Sequence, residues 1–131
     1  MKGDPMSLDT IHQKLIHLET LGGPAELDAL ELVLAERIRQ VDGEGWTPAH
    51  DDLERREGQL AAAGASYALA VHQKALVHAR TGSLDVKPSA PHARWPFSPL
   101  AWKPAGMRRM TVKGAALVLA ELARQVRAGL E

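Results

Sequence analysis

The sequence predicts an all-α protein, a compact bundle of about four helices with one long loop, carrying proline and tryptophan, before the last helix. Three observations point there. Apolar residues recur at helical spacing in several separate stretches, no stretch sustains the alternation of β-branched residues that a strand needs, and Pro88, Pro91, Pro96, Pro99 and Pro104 crowd one segment. No internal repeat is present. The 131 residues suit a single helical domain, 1–131, long enough to bury a core.

Taken in order, residues 1–6, with Gly3 and Pro5, read as a flexible lead-in. Ser7 suits an N-cap, and Leu8, Ile11, Leu15 and Leu18 make a short amphipathic helix that Gly22-Gly23 stops. Pro24 then suits the first turn of a second helix, with Leu27, Leu30, Val33, Leu34, Ile38 and Val41 as its apolar stripe and Gly43 and Gly45 at its end. These two helices are expected to form a hairpin. Trp46-Thr47-Pro48-Ala49-His50-Asp51-Asp52 reads as an ordered loop, because Pro48 lacks an amide hydrogen and biases Thr47 towards extended backbone. Asp51 or Asp52 would cap a third helix running through Leu60, Ala61, Gly64, Tyr67, Ala68, Val71 and Ala75, whose small residues permit a close helix crossing. Thr81-Gly82 closes it. The prolines then make 83–106 a long loop, and its Trp95, Phe97 and Trp102 imply that it packs down onto the protein. Thr111 would cap a last helix with Val112, Ala115, Ala116, Leu119, Leu122, Ala123 and Val126 on one face.

Composition narrows the function classes. With no cysteine, disulfides, thiol nucleophiles and thiolate metal sites are excluded, and a cytoplasmic location is expected. Sixteen basic and sixteen acidic residues cancel, but residues 1–79 carry 7 Lys/Arg against 13 Asp/Glu and residues 80–131 carry 9 against 3. Such a division favours attraction within the fold or between copies, leaves a homo-oligomer open, and argues against nucleic acid as partner. The longest apolar run, Ala115 to Ala120, is far short of the ~20 residues that span a bilayer, so no membrane partner is expected.

Chemistry concentrates in two segments. On the second helix Glu36, Arg37, Arg39 and Gln40 lead into Trp46, and His50, Asp51 and Asp52 follow in the turn, so donors and acceptors gather round one concavity if the chain folds back. Near the last helix Trp102, Lys103, Arg108 and Arg109 set cations and an aromatic beside a helix start, an arrangement that suits a phosphate or carboxylate. The plainer reading makes Trp46 a core plug, Asp51 a cap, and Arg108 and Arg109 partners of the acidic front half, for instance Asp51 or Asp52. Glu31, Glu36, Asp42, Glu44, Asp51, Asp52, Glu54 and Glu57 raise an Mg²⁺ reading of the MazG pyrophosphohydrolase type, but that type needs Glu-x-x-Glu and Glu-x-x-Asp pairs on facing helices, whereas Asp51, Glu54 and Glu57 form a three-residue ladder at one helix start, where acids already favour the helix dipole. The six histidines include no His-x-x-x-His pair, no glycine-rich phosphate loop is present, and no serine sits in a nucleophile elbow. Neither a metal site nor a cofactor is expected, and no catalytic residue is assigned.

One resemblance spans roughly residues 32–127. The ordered set Glu36-Arg37, Gln40, Glu44-Gly45-Trp46-Thr47, His50-Asp51-Asp52, Tyr67-Ala68, Trp95-Pro96, Trp102-Lys103-Pro104, Arg108-Arg109 and Val112-Lys113 resembles a group of small phage- and prophage-encoded accessory proteins. The front part is also distantly similar to the ryanodine-receptor repeat in the order of its Glu-Arg, Gly-Trp and Asp-Asp elements. The resemblance implies an accessory, non-enzymatic binding protein acting in counter-defence in the cytoplasm of the bacterial host, on a host defence protein or on a small anionic, nucleotide-like signal. The expected ligand site comprises Glu36, Arg37, Arg39, Gln40, Trp46, His50, Asp51, Asp52, Trp102, Lys103, Arg108 and Arg109. The competing readings are the Mg²⁺-dependent hydrolase and a structural dimerisation module that buries the last helix in a partner.

Overall fold

The computed structural model describes residues 7–83 and 91–131, so the lead-in 1–6 and part of the long loop, 84–90, lie outside the described residues. Among these the secondary structure is entirely helical: α1 (Leu8–Gly22), α2 (Pro24–Asp42), α3 (Pro48–Glu54), α4 (Gln59–Thr81) and α5 (Met107–Ala128), with a single 3-10 turn at Pro99–Ala101. The chain divides into two compact units, one up to Leu32 and one of Val33–Glu131.

The first unit holds α1 and the start of α2. Ser7 caps α1 as expected, its hydroxyl oxygen accepting from the Thr10 amide at 3.1 Å. The expected hairpin does not form: no described residue of this unit is buried, and Leu8 and Leu21 are among the exposed apolar side chains. The reason is the link between the helices. Gly23 alone separates them, in a left-handed φ of 82° with extended ψ, and a one-residue connection is too short to turn two helices side by side.

The second unit is organised by α4 against α5, with α3 resting on α5. The two long helices cross where Gly64 meets Gly114: a Cβ on Gly64 would lie 2.8 Å from the Gly114 carbonyl oxygen, so the missing side chains set the separation. Leu60, Ala63, Tyr67, Ala70, Met110, Leu117 and Ala120 form the core, and Trp102 folds in from the loop to join them. Trp95 and Phe97 pack against the same cluster, so the described part of the long loop does pack down.

Four expectations are corrected here. A fifth helix, α3, replaces the loop expected over Trp46–Asp52: Pro48 stands at the first helical position, where its missing N–H is no loss, and Thr47 caps the turn by accepting from the His50 amide at 3.2 Å. Asp51 and Asp52 therefore cap nothing, and α4 starts later, from Gly58 in the left-handed region. The last helix starts at Met107, one turn ahead of Thr111, whose hydroxyl donates back to the Met107 carbonyl at 2.9 Å. Finally, the buried faces match the expected apolar ones only in part: Val112 and Ala116 of α5 are buried as expected, and Leu27, Val33 and Val41 of α2 are half-buried. On α5 Leu122 and Val126 are exposed while Gly114, Leu117, Glu121 and Arg124 face inward, and on α2 Leu34 and Ile38 are exposed while Glu36 and Gln40 are buried. Ion pairs account for the difference: Glu121 accepts from Arg124 at 2.8 Å and from Gln125 at 2.8 Å, so carboxylate and guanidinium go inside together.

Candidate functional site

The end of α2 is shaped by its glycines. The amides of Gly43 and Glu44 donate to the Arg39 carbonyl at 2.7 and 3.2 Å, Gly45 takes a positive φ of 74°, and the Trp46 amide returns to the Gln40 carbonyl at 3.0 Å. The turn thus straps Trp46 to the helix position that carries Gln40. Between this turn, α4, the tryptophan loop and α5 lies a cavity of about 280 Å³.

Its walls are aromatic. Tyr67 from α4 stacks on Trp102 at 4.6 Å between ring centroids, Trp95 stands edge-on to Tyr67 at 5.6 Å and to Phe97 at 5.4 Å, and Trp46, half-buried, lines the cavity with no ring partner among the described residues. Trp95 is fixed by its indole N–H, which donates to the Ser98 carbonyl at 3.0 Å. The Tyr67 hydroxyl, its pKa raised by burial, accepts from the Lys103 amide at 3.2 Å and holds the loop on α4.

Its polar groups divide into matched and unmatched charges. Glu36, 2 % exposed, lies between Arg39 and Arg109. Burial acts to raise the pKa of Glu36, but the hydrogen bonds from the two guanidiniums prevail and hold it below the ordinary carboxylate range. Arg39 also reaches Glu44 at 2.7 Å, and Glu36 and then Glu44 raise its pKa further. The remaining cations are less compensated: Lys103, Lys113 and Arg55 line the cavity without a carboxylate partner among the described residues. The Lys113 ammonium donates to the Lys103 carbonyl at 2.8 Å, and Arg55 lies 4.6 Å above the Phe97 ring. Burial, and then repulsion from Arg109, lowers the pKa of Lys113. Gln40 completes the lining: it is 2 % exposed, and its side-chain oxygen is buried without a hydrogen-bond partner, among the described residues.

Of the twelve residues predicted for the site, Glu36, Arg39, Gln40, Trp46 and Lys103 line this cavity. Trp102 stands behind its wall, stacked on Tyr67, and Arg109 braces Glu36 from outside the lining. The other five lie elsewhere. Arg37 and His50 both meet Asp51, at 3.2 and 3.3 Å, in a cluster that ties α2 to α3, Asp52 pairs with Arg127 of α5 at 2.9 Å, and Arg108 is exposed. Thus the charge attraction read from the sequence is real, but its pairs are Glu36 with Arg109 and Asp52 with Arg127. Residues that sequence reasoning left out of the site are Glu44, Arg55, Tyr67, Trp95, Phe97, Ala101, Lys113 and Leu117. Lys113 had a legible signal, since it follows the basic Arg108-Arg109 step by one helical turn; Arg55 had none.

Among the described residues no three of His, Cys, Asp and Glu come together as a metal site would require, and no helix is long and apolar enough to cross a membrane. Compared with protein-family models, with curated proteins and with solved structures, the chain matches none.

Proposed function

We propose that this protein is a non-enzymatic binding protein whose cavity takes up a small anionic ligand bearing a planar ring, of the nucleotide type. One observation carries the reading: a cavity with aromatic walls also holds cations in excess of carboxylates. An apolar core would not gather Arg39, Arg55, Lys103 and Lys113 against Glu36 and Glu44 alone. The volume suits one ring and one anionic group, at the small end of ligand pockets, which run from ~300 Å³ upwards. Hydrolysis is not favoured, because Glu36 and Glu44 are both engaged by arginine. In keeping with the motif resemblance to phage and prophage accessory proteins, the activity would be capture of a host signal in counter-defence.

The test is titration of the protein with nucleoside mono- and diphosphates while following tryptophan fluorescence and the unfolding midpoint. Binding at a hundred times the dissociation constant raises stability by roughly 2.7 kcal/mol, and Lys103→Ala with Lys113→Ala should abolish the shift. No response to any anion across the panel would reject the reading.

A second reading, association with another copy through apolar helix faces, is favoured by a different observation. Val118, Leu122 and Val126 of α5 and Leu34 and Ile38 of α2 are each at least half exposed. Sedimentation over a concentration range separates the two readings, since Val126→Glu should oppose association and leave the cavity intact.

A further inference from the structure

We propose that α1 is an association helix: it pairs with α1 of a second copy of this chain, parallel and in register, through Leu8, Ile11, Leu15 and Leu18, with Lys14 of each copy meeting Glu19 of the other. The inference rests on the association reading above and gives it a surface and an orientation.

Leu8, Ile11, Leu15 and Leu18 follow one another at the three-four-three spacing of the a, d, a and d positions of two heptads. Gly22 falls on the next a position, where the helix itself ends. This seam is open in the single chain. No residue of α1 is buried, Leu8 is 82 % and Ile11 39 % exposed, and Leu15 and Leu18 are half-buried. A helix of fifteen residues has little stability of its own, so an amphipathic one that is N-capped by Ser7 and carries an open apolar seam calls for cover from outside.

Charge says what the cover is. In the same frame Lys14 is a g position and Glu19 the next e position, and both are exposed. Residues at this separation do not meet on one helix, and neither has an ion-pair partner among the described residues. Between parallel helices in register, a g residue faces the following e residue of its neighbour, so Lys14 meets Glu19 twice, once in each direction. The helix is thus complementary to itself, as an isologous interface requires. An antiparallel pair sets g against g and would bring Lys14 against Lys14. A lipid surface fits less well, because the polar face sets Asp9 and Glu19 against Lys14. The seam is about 22 Å long, so the association is of the weak, concentration-dependent kind.

Sedimentation of the full chain over a concentration range, with charge-reversed variants, tests this. Lys14→Glu and Glu19→Lys each place like charges across both contacts and should each weaken association about tenfold. Lys14→Glu together with Glu19→Lys exchanges the partners and should recover most of the loss, which a role of either residue within one chain would not produce. The natural chain has no cysteine, so Leu8→Cys supplies one thiol per copy. Parallel pairing sets Leu8 beside Leu8, and mild oxidation should link that variant into covalent dimers while Gln13→Cys, on the outer face, stays unlinked. Failure of the double reversal to recover association, or equal linking of the two cysteine variants, would overturn the parallel register. Association that the single reversals leave unchanged and Val126→Glu abolishes would overturn the role of α1 and leave the association reading standing. Monomer mass at every concentration would overturn both. Leu8, Gln13, Lys14 and Glu19 are all exposed, so these variants leave the buried core as it is.

Discussion

A carboxylate that accepts from two guanidiniums at once, as Glu36 does from Arg39 and Arg109, titrates below its unfolded-state value. The unfolded chain then takes up the proton more readily as the pH falls, so the stabilisation is complete above the ordinary carboxylate range and disappears as pH falls through the depressed value. Both arginines reach solvent, which limits the effect to about 1–2 kcal/mol. Urea unfolding of Glu36→Gln should show that loss at neutral pH and a narrowing gap from the unaltered protein in acid; a gap that stays constant down the pH range would place the stabilisation elsewhere. The same residue shows what was legible at this scale. Glu36, Arg39 and Gln40 were recognisable because positions three and four apart share a helix face, a rule that holds before any tertiary structure is known. Which neighbour belongs to that face was not. Arg37 is adjacent in sequence yet turns to Asp51, since successive helical residues point about 100° apart.

Helices were easier to recognise than the faces they bury. The run from Ala61 to Ser66 signalled a close crossing, and Gly64 meets Gly114 there, with room for no Cβ on either side. Gly64→Ala would favour the helix by up to ~1 kcal/mol in propensity, but its Cβ would stand 2.8 Å from a backbone oxygen that cannot rotate away. Overpacking of this kind costs about 1–3 kcal/mol, so the clash prevails and the thermal midpoint should fall. A rise would show that α4 and α5 can part without loss. The charged residues on the buried faces of α2 and α5 were hidden for a related reason. Apolar periodicity ranks side chains one by one, whereas Glu121 with Arg124, or Glu36 with Arg39 and Arg109, becomes buriable only as a bonded set. Helix α3 is not legible from Pro48 alone, because the same residue is a breaker inside a helix and a starter at the first helical position, where it stands here.

Across the whole chain, protection from solvent is uneven, and that inequality can be measured. The core residues Leu60, Ala63, Met110, Ala116 and Ala120 are all at or below 1 % exposure, on α4 and α5. Helix α1 has fifteen residues and none buried. An isolated helix of that length is marginal in water, because nucleation is costly and only tertiary packing of an apolar face makes up for it. Amide exchange should therefore be slowest in α4 and α5, with opening close to the global unfolding free energy, and fastest in α1, with opening free energies near zero. Repeating the exchange at rising protein concentration extends the test to the association reading. If apolar side chains such as Leu8 and Ile11 find a partner only in a second copy, protection of α1 will grow with concentration while that of α4 stays level. Slow exchange in α1 at the lowest concentration would mean that its apolar face is covered within one chain, and association would then have to rest on α2 and α5 alone.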